Sequence, residues 1–150
     1  MQRTDPRAFR VLFLCTGNSA RSQMAEAILN RKGQGRFIAE SAGSHPAARV
    51  NPYAIEVLRE GGIEWHGHPP RGLDGLDQVP WDFVITVCDL AREACPIFPG
   101  QPMLAHWRMP DPAAVEGDDQ AKRAAFQNAL TLISRRIDLL LALPVEKLER

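Results

Sequence analysis

No apolar run in this chain approaches the ~20 residues that a helix needs to cross a bilayer. The opening residues, Met1 to Arg7, are polar, and the apolar run after them is too short for a secretory signal core. Net charge is lacking as well, since 18 basic residues balance 18 acidic ones. No global field favours nucleic acid or a membrane surface. Trp65, Trp81 and Trp107 are scattered, with no interleaving of aromatic and basic residues. Cysteine is scarce and odd in number, three in 150 residues. That is not the framework of a small secreted domain. Cys88, Cys95 and His106 do not follow the close pairing of common zinc sites. The expectation is a cytoplasmic monomer with no membrane or nucleic-acid partner, no metal and no tightly bound cofactor. Its cysteines are then free thiols, ligands or catalytic groups, or simply buried small side chains.

Repeats, low-complexity stretches and linkers are absent too. A chain this long buries enough surface to need no staple. Residues 1–8 read as a flexible tail and 9–150 as a single domain. Phe9 to Leu14 is apolar without alternation, the pattern of a buried strand. Ser19 to Leu29 reads as a turn feeding a helix, with Met24, Ala27 and Ile28 on its inward face and Gly33 stopping it. Arg36 to Glu40 is a weaker strand that ends at Ser41-Ala42-Gly43-Ser44. Asn51 and Pro52 start a second helix, which Gly61-Gly62 ends. Residues 63 to 80 are mostly loop, with a short helix around Leu73 to Gln78. Trp81 to Val87 is a strand with Cys88 at its end, and Met103 to Met109 a last short one. Asp118 or Asp119 caps a long C-terminal helix whose stripe is Phe126, Leu130, Ile133, Ile137, Leu140 and Leu141. This order predicts an α/β fold, a three-layer sandwich on a mostly parallel, four-stranded sheet. Ligands in such folds sit beyond the carboxyl ends of the strands. Cys15 and Cys88 both fall at such ends and can share one pocket.

Chemistry concentrates in Cys15-Thr16-Gly17-Asn18-Ser19-Ala20-Arg21-Ser22. A thiol at the end of a buried strand is followed by small and polar residues, then by a helix start. Inward amides and a helix N-terminus favour an anion. Arg21 can reach back with a planar fork matched to two oxyanion oxygens. The same field stabilises a thiolate on Cys15, and Ser22 can donate to it. A thiolate and an incoming oxyanion repel unless both are neutralised, which accounts for the pairing. Tetrahedral oxyanions such as phosphate and sulfate fit such a loop. A helix-capping turn after a core cysteine is the bland alternative.

The stretch from Cys15 to Glu26 resembles the signature of the thioredoxin-coupled arsenate reductases, which share the fold of the low-molecular-weight protein tyrosine phosphatases. Ser41-Ala42-Gly43 resembles that family's second block. Val84 to Cys88 with Cys95-Pro96 resembles its redox segment, and His106 to Ala113 its acid loop. The first motif alone fits reductases and phosphatases; the three cysteines together are more specific. The resemblance implies arsenate as substrate and thioredoxin, or a thioredoxin-like protein, as external reductant. Cys15 matches the nucleophile, Arg21 the clamp, Ser22 the thiolate support and Asn18 the residue that orders the loop. Cys88 and Cys95 match the later redox cysteines, and Asp111 the acid. A Cys15–Cys88 disulfide is then the intermediate and a Cys88–Cys95 disulfide the product. Asn18, Glu26 and Ser41 match residues of a potassium site found in some reductases. Here His68-Pro69-Pro70-Arg71 departs from the Thr and Asp that complete it. Ala113 follows Pro112 where the phosphatases carry an aromatic residue for a phenolic substrate. Two other readings fit fewer features: a phosphomonoesterase of the same fold, and a non-catalytic thiol sensor or oxyanion-binding module.

The relay has a geometric consequence. Were Cys88 and Cys95 on one helix, they would lie ~10 Å apart along its axis. A disulfide wants alpha carbons within ~7 Å. Any helix between them must bend or melt for the bond to form. His106 and Trp107 read as braces of the acid loop. His66 and His68 read as a surface pair.

Overall fold

The computed structural model describes residues 8–65, 67–88, 100 and 102–144. Cys95 and His66 lie outside the described residues. The strands are β1 (Phe9–Cys15), β2 (Phe37–Gly43), β3 (Phe83–Thr86) and β4 (Met103–His106). The helices are α1 (Arg21–Lys32), α2 (Pro52–Glu60) and α3 (Asp119–Ala142). Short 3-10 turns stand at Leu76–Gln78 and Pro112–Ala114. The architecture is an α/β sandwich on a sheet ordered β2-β1-β3-β4, with all three pairings parallel.

Val11, Leu12, Phe13 and Leu14 are all but inaccessible, as a central parallel strand requires. From β1 the chain crosses to β2 on one side and later to β3 on the other. The carboxyl ends of β1 and β3 therefore flank the point where strand order reverses, the usual crevice for a ligand. Cys15 ends β1, and Cys88 follows β3 by two residues.

Strand β2 runs on through Ser41, Ala42 and Gly43, the residues read from sequence as its end. Small and polar residues are weak strand formers, but seven rungs to β1, from Phe9–Phe37 to Cys15–Gly43, hold them extended. Helix α1 likewise reaches Lys32, and residues Arg21 to Leu29 are all buried rather than one face alone. It is packed from several sides, including by β2 and α3. The caps fall where sequence places them. The Asn51 side chain accepts from the Tyr53 amide, and the Asp118 side chain accepts from that of Ala121. Such caps each contribute about 1 kcal/mol. The buried stripe of α3 is Phe126, Ala129, Ile133, Ile137 and Leu140. Leu130 and Leu141, read from sequence as part of that stripe, are only partly buried against the core. Among the described residues, no helix is long and apolar enough to cross a membrane.

Candidate active site

The loop from Cys15 to Ser22 turns its amides inward because a neighbouring segment takes its carbonyls. Just after β2, the Ser44 amide donates to the carbonyl of Cys15, and that of His45 to Thr16. The Ala47 amide donates to Gly17, and that of Asn51 to Ser19. Four loop carbonyls are thereby directed out of the cavity, which leaves N–H groups for an anion. Asn18 has a φ of 51°, the left-handed region that side chains other than glycine rarely adopt. Ala20, at the N-cap of α1, makes no side-chain cap bond. The first amides of that helix also face the loop. Gly43 passes directly behind. A Cβ there would lie 2.4 Å from the Thr16 carbonyl oxygen, so no side chain fits.

Cys15 is 3% exposed, a free thiol at the floor of this loop. Its Sγ lies 2.9 Å from the Ser22 hydroxyl and accepts from the Asn18 amide at 3.2 Å. The Asn18 side chain fixes which way these bonds run. Its Oδ1 accepts from the Arg71 amide, so its Nδ2 donates both to Ser22 Oγ and to Ser41 Oγ. Ser22 accepts from Asn18 and keeps its own proton for Cys15. Two donors thus converge on one sulfur. Arg21 is almost buried. Its Nη1 donates to the carbonyls of Val87 and Met109, at 3.2 and 3.1 Å. The remaining donors of the fork are left for an oxyanion, with Nη2 at 3.8 Å from Asp111 Oδ2. Asp111 is half exposed, and its Oδ1 accepts from the Ala113 amide.

Cys88 reaches the same loop from β3. Its Sγ lies 3.1 Å from Thr16 Oγ1, one residue from Cys15. The structure thus brings Cys15, Arg21, Ser22, Cys88 and Asp111 to one crevice. Trp107 packs on Phe13 with centroids 5.6 Å apart, and His106 Nδ1 is 2.7 Å from Thr86 Oγ1. Both contacts tie the acid loop to the sheet.

Three supports were not legible in the sequence: Gln23, His68 and Arg71. Gln23 is fully buried, donating to the carbonyls of Asn18 and His68 and accepting from Trp65. A glutamine among apolar residues in the first turn of α1 is the one signal for it. His68, read from sequence as one of a surface pair with His66, is partly buried against α1. Its Nε2 lies 2.8 Å from Glu26 Oε1, which also accepts from Ser41. Burial raises the Glu26 carboxyl above its ordinary range, against the lowering effect of Ser41, His68 and Arg71. These bonds also test the potassium residues. Asn18 Oδ1 is taken by the Arg71 amide, the Ser41 carbonyl by Arg71 Nε, and Glu26 Oε1 by Ser41 and His68. Oxygens already facing N–H and O–H donors do not fit a bare cation. Among the described residues, no cluster of His, Cys, Asp and Glu is arranged to hold a metal.

Arg71 is itself clamped. Its Nη2 donates to Glu40 Oε1, and Arg10 donates to the other oxygen. Burial alone would raise the Glu40 carboxyl, but the two arginines outweigh it and lower it. A depressed carboxyl contributes stability that is present above its unfolded range and lost as pH falls. Glu40→Gln is therefore expected to melt below the parent at neutral pH. The gap should narrow as pH falls below the ordinary carboxylate range and close only once the lowered Glu40 carboxyl is itself protonated. Melting curves at several pH values check this, and a gap constant with pH would rule the clamp out.

The family model for low molecular weight phosphotyrosine protein phosphatase matches residues 10–150. The chain belongs to this family. Within the family, the chain is similar to arsenate reductases. It is 37% identical over 127 residues to the arsenate reductase of Halalkalibacterium halodurans, covering 85% of this chain and 91% of that one. It also superposes on a solved arsenate reductase in the phosphate binding state. The TM-score is 0.76 at 28% identity, over 89% of this chain and 97% of that one. A thioredoxin-dependent arsenate reductase of Corynebacterium glutamicum matches with a TM-score of 0.71 at 30% identity, over 95% of this chain and 64% of that one. The sandwich and parallel sheet described above are those of the family.

Proposed function

We propose that the chain reduces arsenate to arsenite with Cys15 and passes the oxidation through Cys88 and Cys95 to thioredoxin or a thioredoxin-like protein. One observation carries the reading: Cys88 Sγ sits 3.1 Å from the hydroxyl of Thr16, within the loop that holds Cys15. A phosphatase has no use for a second thiol at that place. Arsenate occupies the inward amides and the open side of Arg21. The Cys15 thiolate attacks arsenic, and one oxygen leaves as water with a proton from Asp111. The Cys88 thiolate then attacks Cys15 Sγ. The S–S bond forms, the S–As bond breaks, and its electron pair stays on arsenic, which departs as arsenite. Cys95 attacks Cys88 and frees Cys15 as thiolate. A dithiol reductant reduces the Cys88–Cys95 disulfide. Cys15 at 3% and Cys88 at 9% exposure are poor targets for a protein reductant, which favours passing the disulfide on to a third thiol. A cytoplasmic, monomeric protein, with residues 9–150 as one domain, belongs to the same proposal.

The test couples the protein to thioredoxin, thioredoxin reductase and NADPH. Arsenate-dependent NADPH oxidation is expected, with little hydrolysis of p-nitrophenyl phosphate. Phosphate release that survives loss of Cys88, without arsenate-dependent oxidation, would overturn the proposal.

A further inference from the structure

The oxyanion loop has five carbonyls, those of residues 15 to 19, that must point away if the amides after them are to face inward. A trans peptide holds its C=O and N–H in opposite directions. Four of these carbonyls accept from main-chain amides of the segment from Ser44 to Asn51. The fifth, that of Asn18, is held by a side chain: Gln23 Nε2 donates to it at 3.2 Å. This peptide needs a hold of its own. It follows Asn18, whose φ of 51° is costly for a residue other than glycine and persists only where the surroundings enforce it.

The Gln23 amide is itself held at both ends. Its Nε2 also donates to the His68 carbonyl at 3.1 Å, and its Oε1 accepts from the Trp65 indole at 3.0 Å. An indole N–H donates and never accepts, so the oxygen of the Gln23 amide faces Trp65 and the nitrogen faces the loop. Gly67 closes around the same amide. Its φ is 60°, and a Cβ there would lie 2.6 Å from Trp65 Nε1 and 3.2 Å from Gln23 Oε1. Gln23 is 0% exposed and has both its donors engaged, so it has none to offer an anion directly. Its effect on the site runs through the Asn18–Ser19 peptide.

We propose that Gln23 is a positioning residue for oxyanion capture. It holds the Asn18–Ser19 peptide so that the Ser19 amide faces the anion, and Trp65 fixes which end of the Gln23 amide meets the loop. The two donors to Cys15 do not depend on it. The Asn18 amide belongs to the preceding peptide, whose carbonyl accepts from Ala47. Ser22 is oriented by the Asn18 side chain, which bonds to Arg71 and Ser41. Anion affinity and the bare reactivity of Cys15 should therefore come apart, whereas a loop that lost its fold would lose both together. That the anion is arsenate rests on the function proposed above; the positioning requires only an oxyanion.

The test measures alkylation of Cys15, read by peptide mass, with and without sulfate in Gln23→Met, Trp65→Phe and Asn30→Ala. Gln23→Met keeps the length of the side chain and removes both donors. Its half-protecting sulfate concentration is expected to rise ~10-fold or more, the worth of one hydrogen bond to a charged group. Alkylation without sulfate should keep the parent's rate, and kcat/KM for arsenate should fall at least as far as sulfate affinity. Trp65→Phe leaves Gln23 in place without its partner and should raise the half-protecting concentration ~2–10-fold. It decides the matter if Gln23→Met does not fold. Asn30 is the control, a second amide side chain on α1 that bonds main chain, here the amide and carbonyl of Ala39 on β2. Asn30→Ala should melt earlier than the parent yet match it in sulfate protection. If the parent fails to reduce arsenate, the functional proposal falls while sulfate protection still decides the positioning. Unchanged protection in Gln23→Met, or in Trp65→Phe where Gln23→Met does not fold, would overturn it. So would an equal shift in Asn30→Ala, or alkylation without sulfate that changes in step with the lost protection.

Discussion

Cys95→Ser is expected to release about one arsenite per enzyme and then stop. Cys88→Ser is expected to release almost none. The difference follows from which sulfur is next in line. With Cys95 removed, Cys88 remains beside Thr16 and can still attack the Cys15 adduct. The product is a Cys15–Cys88 disulfide at the buried floor of the crevice, with no third thiol to carry it outward. Thioredoxin should regenerate it poorly, because both sulfurs belong to residues under a tenth exposed. With Cys88 removed, the thiol next in line to attack the adduct is gone and the adduct persists. Alkylation quench, peptide mapping of the disulfides and a count of arsenite per enzyme separate the two. Sustained turnover by either variant, with thioredoxin as the only reductant, would sink the order of the relay.

Arg21→Lys is expected to lower kcat/KM by about 10²–10³, although the charge is kept. The loss has two sources. A planar fork grips two oxygens at once, and an ammonium cannot. The guanidinium also splits its work: Nη1 is anchored on the carbonyls of Val87 and Met109 while the other donors face the anion. A lysine that kept the anchor would lose the clamp. Sulfate should then no longer protect Cys15 from alkylation, while circular dichroism stays near the parent. Parent-like turnover by the lysine form would remove Arg21 from its assigned role.

How much of this was legible in the sequence depends on whether the signal is local. The apolar run of β1, the Asn51-Pro52 start and the Asp118 cap are decided within a few residues, and each sits where the sequence puts it. Cys15, Arg21 and Asp111 stood out in the sequence because they belong to short motifs, and the fold brings them to one crevice. Strand β2 was read too short, since its last three residues are held by pairing with β1 and not by their own propensity. The backing of Asn18 was not legible at all. Arg71 supplies it with a main-chain amide, which has no residue signature. His68 acts from a loop whose closure onto Glu26 depends on the whole chain path.

The wall from Ser44 to Asn51 holds the oxyanion loop entirely through main-chain amides, those of residues 44, 45, 47 and 51. Proline is the one residue without such an amide. It stands at position 46, a place the ladder skips. The ladder asks nothing of the side chains at Ala47, Ala48 and Arg49, so they are open to change at little cost to the nest. The fold thus separates the main chain that holds the anion loop from the exposed side chains of the segment bordering it. An experimenter who randomises those three positions, excluding proline at 47, can search for new substrates on a catalytic floor that remains intact. The same separation gives natural variation a stretch of chain on which to try new specificities.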